Sequence, residues 1–318
     1  MTRIAVDLAG SEKGAHEVIA GAKMALQEKG LEITLVGDPK LLKEEDFSLF
    51  SFVPAPLAIP TTEKVSRELL RNSQSSLFQI VRLVKEGKVD AAVSGGNTAC
   101  FVALATSLLG TIPGVDRPGI AIFLPKTSGS TILIDAGANT ACVSHHLVSY
   151  AIMGSALSQA IFEIKEPRVG LLNVGSEGNK GNDLYRETYN LLKEERRINF
   201  VGNVEGYDLF KPDVDVAVVD GFTGNCLLKA AEGVAEDFAV FLKEEFLRKN
   251  LSQNEAVLEI QSRFERRADF AEYSGGFLMG VPGICVIIHG RSGAEAHRKA
   301  IIRARDAVEH NLILKLKV

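Results

Sequence analysis

Short apolar runs alternate with helical patterns along nearly the whole chain. Candidate strands fall at residues 4–6, 33–36, 91–93, 120–124, 131–134, 169–172, 199–201, 214–219 and 285–288. Most are continuously apolar and close on Gly, Asp, Ser or Asn, the pattern of parallel strands covered on both faces. Helical stretches lie between them, at 16–29, 75–86, 98–109 and 182–195. In the last of these, Leu184, Thr188, Leu191 and Leu192 share one helical face. The alternation predicts an α/β protein with a mostly parallel sheet. One region breaks it: residues 232–273 show two helical segments around a break at 250–254, which reads as a helical hairpin projecting from the sheet. Val234, Phe238, Leu242 and Leu251 recur there at near-helical spacing. Such a stripe on a projecting arm needs a partner, and a second copy of the chain is the expected one. No repeat or linker divides residues 1–318, which are taken as one α/β domain carrying this arm.

In parallel sheets ligands sit beyond the carboxyl ends of the strands, so those turns were read in order. They are 7–10 (DLAG), 94–98 (SGGNT), 135–139 (DAGAN), 173–182 (NVGSEGNKGN), 202–206 (GNVEG), 220–225 (DGFTGN) and 289–292 (HGRS). Each is glycine-rich with a small polar group, and several precede a helix, whose N-terminus offers free N–H groups and a positive dipole end to an anion. For any single loop, turn chemistry alone explains these residues. Seven together predict one anion-lined cleft on a single sheet edge. No dinucleotide fingerprint, P-loop, nucleophile elbow or HExxH occurs. His145 and His146 are adjacent and read as a helix cap or surface site, whereas His289 ends an apolar strand and is either a buried histidine or part of the cleft.

Composition narrows the class. The 318 residues are 46% hydrophobic and 24% charged with a net charge of −4, which excludes a disordered chain and argues against a nucleic-acid binder. The four cysteines are far apart with no CxxC pair, so they read as small buried hydrophobes in a reducing compartment, and no metal or cofactor is expected. The most apolar stretch, 99–110, falls well short of the roughly 20 residues that span a bilayer. The first strand opens at once, so no signal peptide and a cytoplasmic location are expected.

At these loops the sequence resembles the bacterial phosphate acyltransferases, which make acyl phosphate from acyl-acyl carrier protein and inorganic phosphate. The resemblance rests on residues 94–98, 110–118 (GTIPGVDRP), 137–139, 170–175, 180–182, 199–206 (NFVGNVEG), 220–225 and 289–290. It implies a three-layer α/β/α fold like that of isocitrate and isopropylmalate dehydrogenases. It further implies a homodimer, a role in starting phospholipid synthesis, and peripheral membrane association. Phosphate attacks a thioester carbonyl, so the substrate brings its own nucleophile, and the thiol leaves with little acid assistance. The protein must bind an anion, orient it and stabilise an oxyanion. By resemblance Lys180 and Asn225 are the catalytic pair, and Ser94, Asn97, Thr98, Asn139, Asn182, Asp220, Thr223 and His289 line the substrate site.

Several positions depart from the family pattern: Glu12 and Lys13 in the first loop, Gln74 in a usually lysine-rich run, Ala141 and Val143, the 273–277 turn, and Arg291. They leave three readings open: an acyl carrier protein-dependent enzyme, a short-chain acyl-coenzyme A:phosphate acyltransferase, and a weakened paralogue that only binds carrier protein or acyl phosphate. At the arm's tip, Arg248, Lys249, Arg263, Arg266 and Arg267 would approach anionic lipid while Phe246, Leu247 and Leu251 insert. Glu244, Glu245, Glu255, Glu259 and Glu265 nearly cancel that charge.

Overall fold

The computed structural model describes residues 1–43, 48–126, 128–251, 254–268 and 275–316, with the backbone alone over 265–268. Their strands are β1 (Thr2–Asp7), β2 (Leu31–Gly37), β3 (Ser51–Pro54), β4 (Ala91–Ser94), β5 (Gly119–Pro125), β6 (Ser130–Ile134), β7 (Arg168–Leu172), β8 (Asn199–Val204), β9 (Val216–Val218), β10 (Gly276–Met279) and β11 (Ile284–Ile287). The helices are α1 (Ala15–Ala25), α2 (Arg67–Arg71), α3 (Ser76–Lys85), α4 (Thr98–Leu109), α5 (Ser144–Ile161), α6 (Asp183–Glu194), α7 (Gly221–Arg248), α8 (Glu255–Ala268), α9 (Ala294–Glu309) and α10 (Leu312–Lys315).

The strands form one 11-stranded sheet in the order β3-β2-β1-β4-β11-β10-β5-β6-β9-β7-β8. Alternate residues of β1 face different layers. Ile4 and Val6 pack with α1 and α9 residues such as Val18, Ala22, Ala300 and Ala304. Ala5 packs on the other side with Leu77 and Ile80 of α3 and Phe101 and Leu104 of α4. Helices therefore cover both faces, giving the expected three layers.

The expected strands are all present. β3 and β10 escaped the sequence reading: one is half-exposed at the sheet edge, and the other is four residues of Gly-Phe-Leu-Met. β9 is shorter than expected, because only Val216–Val218 form the strand. The arm also differs. Its first helix does not begin at residue 232 but at Gly221, directly after β9, so one 28-residue helix joins the sheet edge to the arm. Asn250, with φ 57°, breaks it before α8. Ser252, Gln253 and the 269–274 end of the arm, Tyr273 included, lie outside the described residues.

Strand direction decides where the loops go. β11 runs parallel to β4, but β10 is antiparallel to β11 and to β5, and β5 is antiparallel to β6. The two parallel blocks, β3-β2-β1-β4-β11 and β6-β9-β7-β8, thus point in opposite directions. The expectation of one edge bearing all seven loops is therefore corrected: their carboxyl ends lie on opposite edges.

At the far edge of the second block a buried carboxylate fastens the strands. Asp215 accepts from the Arg168 backbone N–H at 2.9 Å and from its guanidinium at 2.9 and 3.0 Å, with the Lys126 ammonium 3.4 Å away. Burial raises the Asp215 pKa, but the Arg168 bonds and the two nearby cations outweigh it and leave it below the usual carboxylate range. Asp215→Asn leaves the buried Lys126 without its counter-charge and should cost about 3 kcal/mol of stability by chemical denaturation at pH 7. Because the folded pKa is depressed, that contribution is complete above the unfolded value of about 4 and disappears as pH falls through the folded value. The gap between wild type and variant should therefore close in acid.

Candidate active site at the ends of β6, β9 and β7

The loop after β6 is organised by one carboxylate. Asp135 is fully buried and accepts the backbone N–H groups of Ile120, Gly137, Ala138 and Asn139 at 2.8–3.0 Å, plus the Asn139 amide at 3.0 Å. Burial nonetheless pushes its pKa up. The Asn139 Nδ2 also lies 2.7 Å from the Pro118 carbonyl and 2.8 Å from the Tyr150 hydroxyl. That amide is spent on the loop itself, so Asn139 shapes the site from within the protein.

Helix α7 starts against this loop. Asp220 caps it, accepting from the Thr223 N–H at 3.0 Å, the Thr223 hydroxyl at 2.7 Å and the Tyr185 hydroxyl at 2.6 Å. Burial raises the Asp220 pKa, but the bonds from Tyr185 and Thr223 prevail and hold it low. The Gly221 N–H donates to the Asn139 carbonyl at 2.9 Å. A methyl group at Gly224 would stand 2.0 Å from the Asp135 carbonyl oxygen, so glycine is what lets the helix sit this close. Asn225, exposed on the first turn, abuts Gly137, whose added Cβ would lie 3.4 Å from the Asn225 Cβ. Asn225 is therefore a helical residue, where a loop position was expected.

Lys180 lies in the loop between β7 and α6. Asn173 accepts from the Val174 N–H at 2.8 Å and donates to the Lys180 carbonyl at 3.2 Å, while Asn203 donates to the Glu177 carbonyl at 2.8 Å. Gly181 turns the chain at φ +86°, and Asn182 caps α6 by accepting the Tyr185 N–H at 3.2 Å. The Lys180 side chain is half-exposed, with Glu177 3.9 Å from its Nζ, a separation worth little at an exposed site. Tyr185 then ties the Lys180 loop to the Asp220 cap. Lys180, Asn182, Asn139, Asp220, Thr223 and Asn225 thus belong to one edge.

Ser94, Asn97, Thr98 and His289 belong to the other. Ser94 donates to the buried Asp7 at 2.7 Å, and the Asn97 side chain caps α4 while donating to the Pro60 and Glu63 carbonyls. Thr98 is exposed at the start of α4. Burial, then Lys229 and Arg291, push the His289 imidazole below its ordinary value, against Glu232 and Glu12. Lys229 and Glu232 belong to α7, and Arg291 reaches Glu236 of the same helix at 3.9 Å. The 11 helical steps from Asn225 to Glu236 span about 16 Å, close to the length of a five-residue strand. Helix α7 thereby links the two loop sets, a connection the loop sequences do not reveal.

Most of the family-pattern departures sit at the surface, but Phe277 is buried in β10. Gln74, Ala141 and Val143 are exposed, Glu12 donates its N–H to the Gly290 carbonyl at 2.8 Å, and Arg291 has gained Glu236. The 273–277 turn is described only from residue 275. Asp116, His145 and His146 bring possible metal-ligand atoms within 4.8 Å of one another. His145 spends its Nε2 on Asp116 at 2.7 Å, and His146 spends its Nδ1 on the Val143 N–H at 3.2 Å. Their rings meet edge to face 4.5 Å apart, although adjacent residues on a helix do not ordinarily face one another. His146 turns back to cap α5, and this brings the rings together.

A three-layer fold with its polar groups gathered at strand ends defines a dehydrogenase-like α/β class. Solved structures place it there at 13–16% identity. A branched-chain phosphotransacylase from Enterococcus faecalis superposes with a TM-score of 0.65 over 98% of this chain and 100% of that one. A 4-hydroxythreonine-4-phosphate dehydrogenase from Salmonella typhimurium gives 0.55 over 96% and 99%. Within that class the chain belongs to the fatty acid synthesis protein family, whose model matches residues 2–315. The phosphate acyltransferase of Desulforamulus reducens is 42% identical, covering 100% of this chain and 97% of the relative; that of Thermodesulfovibrio yellowstonii is 40% identical, covering 99% and 93%. The chain is thus an acyltransferase acting on phosphate.

Two glycines of α7 separate close approach from helix propensity. Gly224→Ala must displace the Asp135 carbonyl and should lose roughly 1–3 kcal/mol. Gly233→Ala meets nothing within 4 Å and should gain up to about 1 kcal/mol. Thermal midpoints of the two variants should move in opposite directions.

Proposed function

We propose that the chain transfers a fatty acyl group from acyl-acyl carrier protein to inorganic phosphate, supplying acyl phosphate for phospholipid synthesis, with Lys180 and Asn225 as its catalytic residues. One observation carries the site assignment. Asn139, Asp220, Thr223 and Asn182 all spend side-chain groups on the protein's own loops, whereas Lys180 and Asn225 hold theirs at the surface of the same edge.

A phosphate oxygen attacks the thioester carbonyl and forms the new C–O bond, and the carbonyl electrons move onto an oxyanion. Collapse breaks the C–S bond, and the leaving thiolate takes a proton from solvent. The Lys180 ammonium holds the phosphate or the oxyanion. The Asn225 amide aims a hydrogen bond without repelling a dianion. Lys180→Ala should abolish most phosphate-dependent thioester cleavage, and Asn225→Ala should reduce it roughly 10²–10³-fold, as loss of one oxyanion donor does elsewhere. Full activity of Lys180→Ala would refute the assignment.

Comparing one acyl group on carrier protein and on coenzyme A tests the donor. A markedly higher kcat/KM on carrier protein is expected; preference for coenzyme A would establish the second reading. No turnover with either, together with ligand-induced stabilisation, would establish the binder.

A homodimer formed through the arm is also part of this reading. Val234, Phe238, Val240 and Phe241 of α7 and Leu258 and Ile260 of α8 are 45–58% exposed, and exposed apolar groups gathered on one arm are what an interaction surface offers. Sedimentation at micromolar concentration should give twice 34.3 kDa. Among the described residues no helix is long and apolar enough to cross a membrane, and membrane contact would be peripheral, at the turn near Leu247, Arg248 and Leu251. The side chains of Glu265, Arg266 and Arg267 lie outside the described residues. Flotation with anionic vesicles but not with neutral ones is the expected result.

A further inference from the structure

Arg117 of the 110–118 segment has no role in the account above, yet the segment ends at the site. Because β5 runs antiparallel to β6, the residues preceding β5 lie at the edge where β6 ends. Pro118 is fixed there by its carbonyl, which accepts the Asn139 amide at 2.7 Å. Its neighbour Arg117 is exposed and has no hydrogen-bond or ion-pair partner among the described residues. Arg3, Arg168, Arg186, Arg197, Arg248 and Arg298, by contrast, each hold a carboxylate within 3.0 Å.

The adjacent acid would be the natural partner, but Asp116 is held by His145 at 2.7 Å and turned onto the first turn of α5. The guanidinium lies near Tyr150 and His146 of α5. Both feel its charge: it helps to lower the His146 pKa and opposes the rise at Tyr150. Tyr150 in turn contacts the Asn139 amide. A free cation beside the DAGAN loop therefore accompanies Lys180 on an edge whose substrate is an anion.

We propose that Arg117 is a substrate-binding residue that takes a phosphoryl group in bidentate fashion. The proposal rests on the acyl transfer reading and deepens it. The phosphoryl chemistry has two sources in that reaction: inorganic phosphate itself, and the phosphodiester of the pantetheine arm that carries the acyl group. A planar guanidinium suits either, because its paired N–H groups match two oxygens of one phosphoryl group, which a lysine cannot do.

The test compares wild type with Arg117→Gln and Arg117→Lys. Each is assayed with acyl-carrier protein and with an acyl-pantetheine thioester that lacks the phosphodiester. If inorganic phosphate is the ligand, Arg117→Gln raises the KM for phosphate about tenfold or more with both donors. If the phosphodiester is the ligand, the KM for acyl-carrier protein rises by that factor while the KM for acyl-pantetheine stays within twofold. Arg117→Lys should recover only part of either loss. A second readout needs no turnover: the thermal midpoint with inorganic phosphate or phosphopantetheine. One of these should stabilise wild type and stabilise Arg117→Gln distinctly less, even if no acyl donor is turned over, a result that would reject the acyl transfer reading alone. Unchanged KM values together with equal ligand-induced shifts in wild type and Arg117→Gln would overturn the proposal.

Discussion

The site depends on the burial of one carboxylate. Asp135 gathers four backbone N–H groups and a side-chain amide around two oxygens. A buried carboxylate without such donors would be strongly destabilising, so the donors must converge wherever the acid sits. That convergence fixes the first residue after Gly119, the whole 136–139 turn and, through the Asn139 and Asp135 carbonyls, the approach of α7. The glycines at 221 and 224 follow from it, because any Cβ there would strike the turn.

A second tie makes the edge one unit. Lys180 lies on a loop after β7 and Asn225 on a helix after β9, with no covalent reason to hold a fixed relation. The Tyr185 hydroxyl supplies one by bonding the Asp220 cap at 2.6 Å from the helix that follows the Lys180 loop. The proposed chemistry needs a cation and an amide held in register against a developing oxyanion, and preorganised donors are effective only when they do not have to move. Capping bonds, ordinarily a matter of helix stability, here also fix the Lys180 loop against the start of α7.

Polar residues at strand ends divide into two kinds. Ser94, Asn97, Asn139, Asn182, Asp220 and Thr223 serve the protein, closing turns and caps. Lys180 and Asn225 are left facing outward. Asn225 is written in the same alphabet of Asn, Asp, Ser and Gly as the builders, so the loop sequence alone does not separate it from them. Whether a side chain is spent on its own loop is a property of its neighbours in space.

The sequence by itself determined the α/β class, nearly every strand, the helices α4 and α6, and the polar loops at the strand ends, because these follow from local periodicity and turn chemistry. It did not determine strand direction. β10, antiparallel to both β11 and β5, leaves β5 pointing with the first block, and the antiparallel pairing of β5 with β6 then reverses the second half of the sheet and sends Ser94 and His289 to the edge opposite Lys180. Apolar periodicity is the same for a strand running either way, so only the pairing of main-chain groups across the sheet decides it. The start of the arm was hidden for a related reason. The glycines at 221 and 224 read as a loop by propensity, yet they form a helix because its first turn is anchored on the Asp135 loop, where tertiary contact outweighs the roughly 1 kcal/mol that each glycine costs.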